Sequence, residues 1–144
     1  MGQPGTSGLY VGNNSASVVA DAYIKGLRGY DIETLWEALK HGANAHLRGT
    51  ASGRLGYESY NQLGYVANNI GIGQNVARTL EYAYNDWAIY TLGKKLGKPE
   101  SEIDIYKKHA LNYKKCLSSG TQTDGWQRQQ RRIQSEFRCS GLER

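Results

Sequence analysis

Carboxylates are the first residues in this chain to weigh for chemistry. Glu81 and Asp86 lie five apart in NVARTLEYAYNDWAIYTLGKKL. On a helix that spacing points them about 140° away from each other, so they cannot flank one reacting bond. Asp21, Asp31 and Glu58 stand alone. His41 and His46 are also five apart, off the spacing of four at which two imidazoles on one helix share a zinc ion. His109, between Lys108 and Ala110, reads as a surface residue. Gly71-Ile72-Gly73 lacks the third glycine and the preceding strand of a dinucleotide site and reads as loop. Cys116 and Cys139 show no CxxC spacing and no neighbouring His, so they form neither a zinc site nor a disulfide framework. Trp36 and Trp87 are the right chemistry for sugar platforms, but at helical spacing they read as core.

The elements that would position these groups are helices. The stretch Asn75–Leu96 contains no Pro and a single Gly, Gly93. Val76, Leu80, Ala83, Trp87 and Tyr90/Thr91 recur at helical spacing, and Tyr82, Ile89, Leu92 and Leu96 make a second apolar stripe. A helix apolar on more than one face packs against neighbours on several sides, so this one reads as an inner helix. Gly97 and Pro99 end it. Before it, Ser15 is the expected N-cap of SASVVADAYIKGL, with Val18, Val19, Ala22 and Tyr23 on one side. Asp31 caps a second helix, whose Ile32, Leu35, Trp36 and Leu39 form the apolar stripe. Tyr57–Leu63 is a short helix stopped by Gly64, between loops at Leu47–Gly56 and Val66–Asn75. A last helix covers ESEIDIYKKHALNYKK, with Ile103, Tyr106, Ala110 and Tyr113 on one face. No strand alternation appears. The pattern is one of helix hairpins joined by Gly-rich loops.

Composition agrees. The 144 residues hold 18 Gly and 11 Tyr against a single Phe, and such a core needs partners for its hydroxyls, which suits a surface that meets sugars. A net charge of +5 permits weak attraction to polyanions without demanding it. No apolar run is long enough to span a membrane. After Lys115 the chain changes character. Lys outnumbers Arg nine to four before Cys116 and zero to five from there on, and apolar periodicity vanishes. Cys116–Arg144 reads either as a disordered basic tail or as a segment produced by a frameshift near codon 116. A basic tail such as WQRQQRRIQ offers a rival reading, a helical module gripping nucleic acid. The helical body lacks the matching basic stripe, so neither nucleic acid nor membrane is expected as a partner.

Three blocks carry a family resemblance. VGNNSASVVADAYIKGLRGYDIETLWEALKHGANAH, then GRLGYESYNQLGYV, then NVARTLEYAYNDWAIYTLGKKLGKPESEIDIYKKHALNYKK resemble, in order and spacing, the helical domain of glycoside hydrolase family 92, the exo-acting α-mannosidases. The likeness covers about Gly8–Lys115, taken as one domain segment (1–115) followed by the aberrant tail (116–144). It implies an all-α fold: part of an (α/α)6 toroid, an incomplete barrel whose N-terminal β-sandwich and remaining helices lie elsewhere. It implies calcium-dependent, inverting removal of α-linked, α-1,2-type mannose from N-glycans or mannan, in the bacterial periplasm, at the cell surface or outside the cell. Inversion needs a carboxylic acid and a carboxylate about 6.5–9.5 Å apart. The family carries these in a Glu-Gly-Asn-like block and an Asp-rich block, neither of which is in this sequence, and the calcium ligands are not in this segment either. What the resemblance leaves here are substrate-shaping groups. Asn13 and Asn14 sit where many members have Asn-His, with helix capping as the plain alternative. Arg54, Tyr57 and Glu58, beside Tyr60, are the other expected contacts to a mannose-containing glycan, with packing as the alternative.

Overall fold

The computed structural model describes residues 11–44 and 53–116. In chain order these form α1 (Ser15–Ile24), α2 (Ile32–Asn44), α3 (Tyr57–Leu63), α4 (Asn75–Leu96) and α5 (Glu100–Ala110). Short 3-10 turns occupy Asn68–Ile70, inside the expected loop, and Leu111–Cys116. No strand element occurs among the described residues. This is the expected all-α array of hairpins, a piece of an (α/α) toroid. His46, Cys139, the loop residues 47–52 and the tail beyond Cys116 lie outside the described residues.

Helix α4 is the hub, packing chiefly against α5 and α1 and also touching α2. Its inward residues Ile89 and Leu92 join Trp36 and Leu39 of α2, Ala16 and Ala20 of α1, and Ile103 and Tyr106 of α5 in one core. Tyr82 joins Tyr60 and Val66 in a smaller second cluster. The stripe Tyr82, Ile89, Leu92 is therefore the buried one. The other expected stripe is corrected at Trp87, which is 53% exposed rather than in the core. Trp36 is buried as expected.

Gly93 shows why α4 tolerates a glycine in its interior. A Cβ there would lie 2.6 Å from Ile103 Cγ2 and 2.7 Å from the Trp36 ring. Three helices meet at that point, and only a residue without a side chain lets them close. The helix ends where expected. Gly97 takes a left-handed φ of +71°, and the Lys98 N–H donates to the Gly93 carbonyl (2.9 Å), satisfying one of the last orphan acceptors. Asp31 caps α2 as expected, accepting from the Thr34 N–H (3.0 Å) and the Thr34 hydroxyl (2.6 Å). A pair of bonds to Glu102, from Trp36 Nε1 (2.9 Å) and Lys40 Nζ (2.6 Å), ties α2 to α5.

Three local expectations are corrected. The N-cap position of α1 is Asn14, not Ser15, and no side chain bonds to the first-turn amides there. Ala16 and Ala20 form its buried face while Val18 points outward, because α1 approaches α4 closely enough that small residues fit. The last helix does not run through to Lys115. It tightens into a 3-10 turn from Leu111, which brings Asn112 and Cys116 inward and leaves Tyr113 exposed.

The packing at Gly93 makes a direct prediction. Gly93→Val should lower stability by about 1–3 kcal/mol through overpacking. Gly73→Ala, where a Cβ meets nothing within 4 Å, should stay within about 0.5 kcal/mol of the parent. Urea unfolding of both variants checks it, and equal stabilities would refute the close-packing account.

Candidate functional site

Two consecutive polar residues stand in the middle of α4, and both are fully buried: Asn85 and Asp86 are each 0% exposed. Adjacent helical positions point about 100° apart, so each serves a different neighbour. Asn85 faces the loop that leads into α1. Its Oδ1 accepts the Asn13 N–H at 2.5 Å. Gly12 passes so close that a Cβ would lie 3.0 Å from Glu81 Cβ and 3.3 Å from Asn85 Oδ1. The Asn13 carboxamide lies over Gly42 of α2, where a Cβ would be 2.7 Å from its nitrogen, and its oxygen accepts the Ser15 hydroxyl. Asn13 is thus wedged between α2 and α4.

Asp86 faces the other way. Its Oδ1 lies 2.7 Å from Arg54 Nη2, in an ion pair whose partners are 1% and 0% exposed. The approach is off the N–H direction, so the pair is held by charge and not by an aligned hydrogen bond. The Tyr60 hydroxyl of α3 lies 3.1 Å from both Asp86 Oδ2 and the His109 carbonyl, and shares its proton between them. His109 Nδ1 of α5 stands 3.6 Å from Asp86 Oδ2. The Arg54 guanidinium packs over the Tyr82 ring at 5.1 Å, and Tyr82 in turn donates to the Leu55 carbonyl (3.0 Å). Burial, reinforced by the Asp86 charge, pushes the Tyr60 phenol far above its ordinary value. Burial also holds His109 below the usual imidazole range, against the opposing pull of Asp86. His109 is therefore corrected from a surface residue to a largely covered one with a carboxylate partner.

The remaining expected groups are placed as follows. Asn14 is exposed; its carbonyl accepts the Ser17 hydroxyl (2.8 Å) and the Val18 N–H (3.2 Å), and its side chain is free of the helix end. Tyr57 is half-buried and Glu58 exposed, both in the first turn of α3. Arg54 is buried and turned inward onto Asp86. Glu81 lies beside Gly12 and Asp86 inside the Arg54 cluster, so the two carboxylates serve different sites, as their spacing implied. His41 is exposed. Among the described residues no group of His, Cys, Asp and Glu is arranged to hold a metal ion. Sequence reading missed Asn85 altogether and weighed Asp86 only as a catalytic partner for Glu81. The available signal was an Asn-Asp pair between apolar residues on a helix already apolar on both faces.

With this geometry in view, comparison with known proteins is informative. The glycosyl hydrolase family 92 catalytic domain matches residues 3–138, a span that reaches beyond Cys116. The chain belongs to that family. A family 92 inverting mannosidase of Bacteroides thetaiotaomicron superposes with a TM-score of 0.70 at 41% identity, over 77% of this chain and 15% of the enzyme. A family 92 α-mannosidase of the same organism, solved with mannoimidazole, gives 0.65 at 32% identity, over 76% and 13%. An uncharacterized secreted glycosidase of the fungus Arthroderma benhamiae is 34% identical over 96 residues, 60% of this chain and 12% of the fungal protein. The chain spans about an eighth to a seventh of the length of these relatives. No helix among the described residues is long and apolar enough to cross a membrane.

Two predictions follow from the Asp86 cluster. Asp86→Asn strands a buried guanidinium and should destabilise the chain by about 3–5 kcal/mol. Adding Arg54→Met to it should recover part of that loss; a double variant no better than Asp86→Asn alone would show that the pair is not coupled. The second concerns pH. Because His109 is held below its ordinary value of 6.5 only in the folded state, the unfolded chain binds more protons in the window just under that value. Stability is then fully present above pH 6.5 and is lost as pH falls through the window. His109→Gln should remove this part of the slope in denaturant titrations run from pH 7.5 to 5. An unchanged slope would contradict the placement.

Proposed function

We propose that this chain is a segment of the helical domain of a calcium-dependent, inverting exo-α-mannosidase that removes terminal α-1,2-linked mannose from N-glycans or mannan. The observation that carries the reading is the superposition, at 41% identity, on a solved inverting mannosidase of the same family. The likeness to a secreted glycosidase supports a place for the parent enzyme outside the cytoplasm: periplasm, cell surface or medium. Its partners would be the mannose-containing glycan, an upstream β-sandwich and the rest of the helical domain. Calcium, supplied at ligands outside this segment, would orient the sugar hydroxyls.

In this reading the segment's own residues position substrate and do not break the bond. Asn13, wedged between α2 and α4, presents the adjoining Asn14 at the mouth of the helical array. The Arg54–Asp86 pair fixes the backbone that enters α3, where Tyr57 and Glu58 are the side chains available to a glycan. Glu81 and Asp86 face different neighbours, and Asp86 is consumed by Arg54, so this set cannot supply an acid and a base across one glycosidic bond. The segment by itself is therefore inactive. The change in composition at Cys116 prompts the frameshift reading, and the family match that runs on to residue 138 weighs against it.

The reading is tested on two proteins. Resequencing the source DNA through and beyond codon 144 gives the extended reading frame, whose product should release β-mannose from α-1,2-mannobiose, an outcome abolished by EDTA and restored by calcium. The 144-residue chain should release none. An extended product that cleaves no α-mannoside sinks the functional assignment. Turnover by the short chain sinks the claim that it lacks the catalytic pair.

A further inference from the structure

Asn13-Asn14-Ser15 is the one Asn-x-Ser/Thr triplet in the 144 residues. Such a triplet marks an acceptor for an N-linked glycan and implies a loop open to the transferase. The fold gives Asn13 the opposite setting. The nitrogen that would carry the sugar, Asn13 Nδ2, lies 2.7 Å from the place a Cβ would take on Gly42 of α2. Not even a methyl group fits on that side of it. The carboxamide oxygen accepts the Ser15 hydroxyl, so the two side chains the triplet depends on are bonded to each other. The backbone is fixed as well. The Asn13 N–H donates to Asn85 Oδ1 at 2.5 Å, and the Asn13 carbonyl accepts the Ala16 N–H at 3.1 Å, where α1 begins. Asn85, which holds this backbone, is itself 0% exposed.

Transfer of a glycan needs the Asn13 nitrogen to attack the anomeric carbon of a sugar linked through pyrophosphate to a lipid. The nitrogen gives up one proton as the N–C bond forms, and the C–O bond to the pyrophosphate breaks and takes its electron pair. The transferase has to reach the nitrogen and the Ser15 hydroxyl together. Here α2 stands against the one, and the other is tied to the carboxamide. We infer that Asn13 is an acceptor only while the chain is unfolded. Docking of the loop on Asn85 and Gly42 closes it, and a sugar attached first would keep the loop from docking. The contacts concerned lie between the entry to α1, α2 and α4, inside the described helices. Further chain packed around them covers the site more and does not open it. The inference needs no part of the mannosidase reading.

The test uses the full 144-residue chain with a purified oligosaccharyltransferase and its lipid-linked oligosaccharide, and reads each acceptor by mass spectrometry of tryptic peptides. A second acceptor is supplied by Arg28→Asn with Tyr30→Thr, on the turn after α1 where residues 28–30 are exposed. A synthetic peptide of residues 8–20 gives the rate for an unfolded Asn13 triplet. Asn13 in the chain should react at least about tenfold more slowly than in the peptide, the factor set by a local opening that costs about 1.4 kcal/mol. The acceptor at position 28 should react freely. Gly42→Ala, a change that favours the helix itself, puts a methyl group against Nδ2 and should bring Asn13 up toward the peptide rate. Equal rates at the two acceptors of the substituted chain would overturn the closure. So would an Asn13 that stays slow in Gly42→Ala, since the wedge over α2 is what shuts it.

Discussion

A carboxylate with no solvent exposure has to be matched where it sits, and Asp86 is matched from three directions. The loop before α3 sends Arg54, α3 itself sends the Tyr60 hydroxyl, and α5 sends His109. Taking an ion pair out of water is expensive, and the attraction between the partners repays this only when geometry and neighbours are good. Here the geometry is imperfect, with Arg54 Nη2 close to Asp86 Oδ1 but off the N–H axis. Tyr82 and Tyr60 rings lie near the guanidinium, at 5.1 and 5.9 Å, and partly replace the lost hydration. An arrangement of this kind adds little net stability over an apolar core. What it supplies is specificity: one path for the loop, because any other leaves a buried charge alone.

Asn85 applies the same constraint one residue earlier and to a different segment. It holds the Asn13 backbone while Asn13 itself fills the space above Gly42. Two Gly-rich connections, neither with helical or strand periodicity of its own, are thus fastened to successive positions on one rigid helix. Loops carry recognition best when a scaffold fixes their ends. The position of α4 between α1, α2 and α5 makes it such a scaffold, and Gly93 permits the close approach that immobilises it.

Much of this architecture was legible in the sequence. The bounds of α3 and α4, the Asp31 cap and the Gly97 stop all follow from local chemistry, because caps and αL glycines act within a few residues. The family resemblance was equally readable. Less legible was which of α4's apolar stripes turns inward. Both have helical period, and the choice depends on where α1 and α5 lie, which is tertiary information. Val18 misled for the same reason: it has the larger apolar side chain, but Ala16 and Ala20 allow α1 to come close to α4. His109 was misread because its flanking Lys108 is exposed, while its own partner, Asp86, is distant in sequence. A buried polar pair can be suspected from an Asn-Asp step in an apolar helix. Its partners cannot be named until the fold brings Arg54 and Tyr60 to it.

The same separation of roles distinguishes carboxylates that hold a frame from carboxylates free to react. Polar residues that position a loop do so by being fully covered and paired, and a carboxylate spent on a guanidinium at 2.7 Å is not free to move protons to a sugar. A catalytic carboxylate needs the reverse: an open side toward substrate, within hydrogen-bond reach of the atom that gains or loses the proton. Asp86 meets the first description and fails the second. Glu81, although nearby in sequence, is directed at the Gly12 loop by the helical repeat. On the mannosidase reading proposed above, the chemistry comes from other carboxylates, brought opposite the loops that Asn85 and Asp86 hold in place.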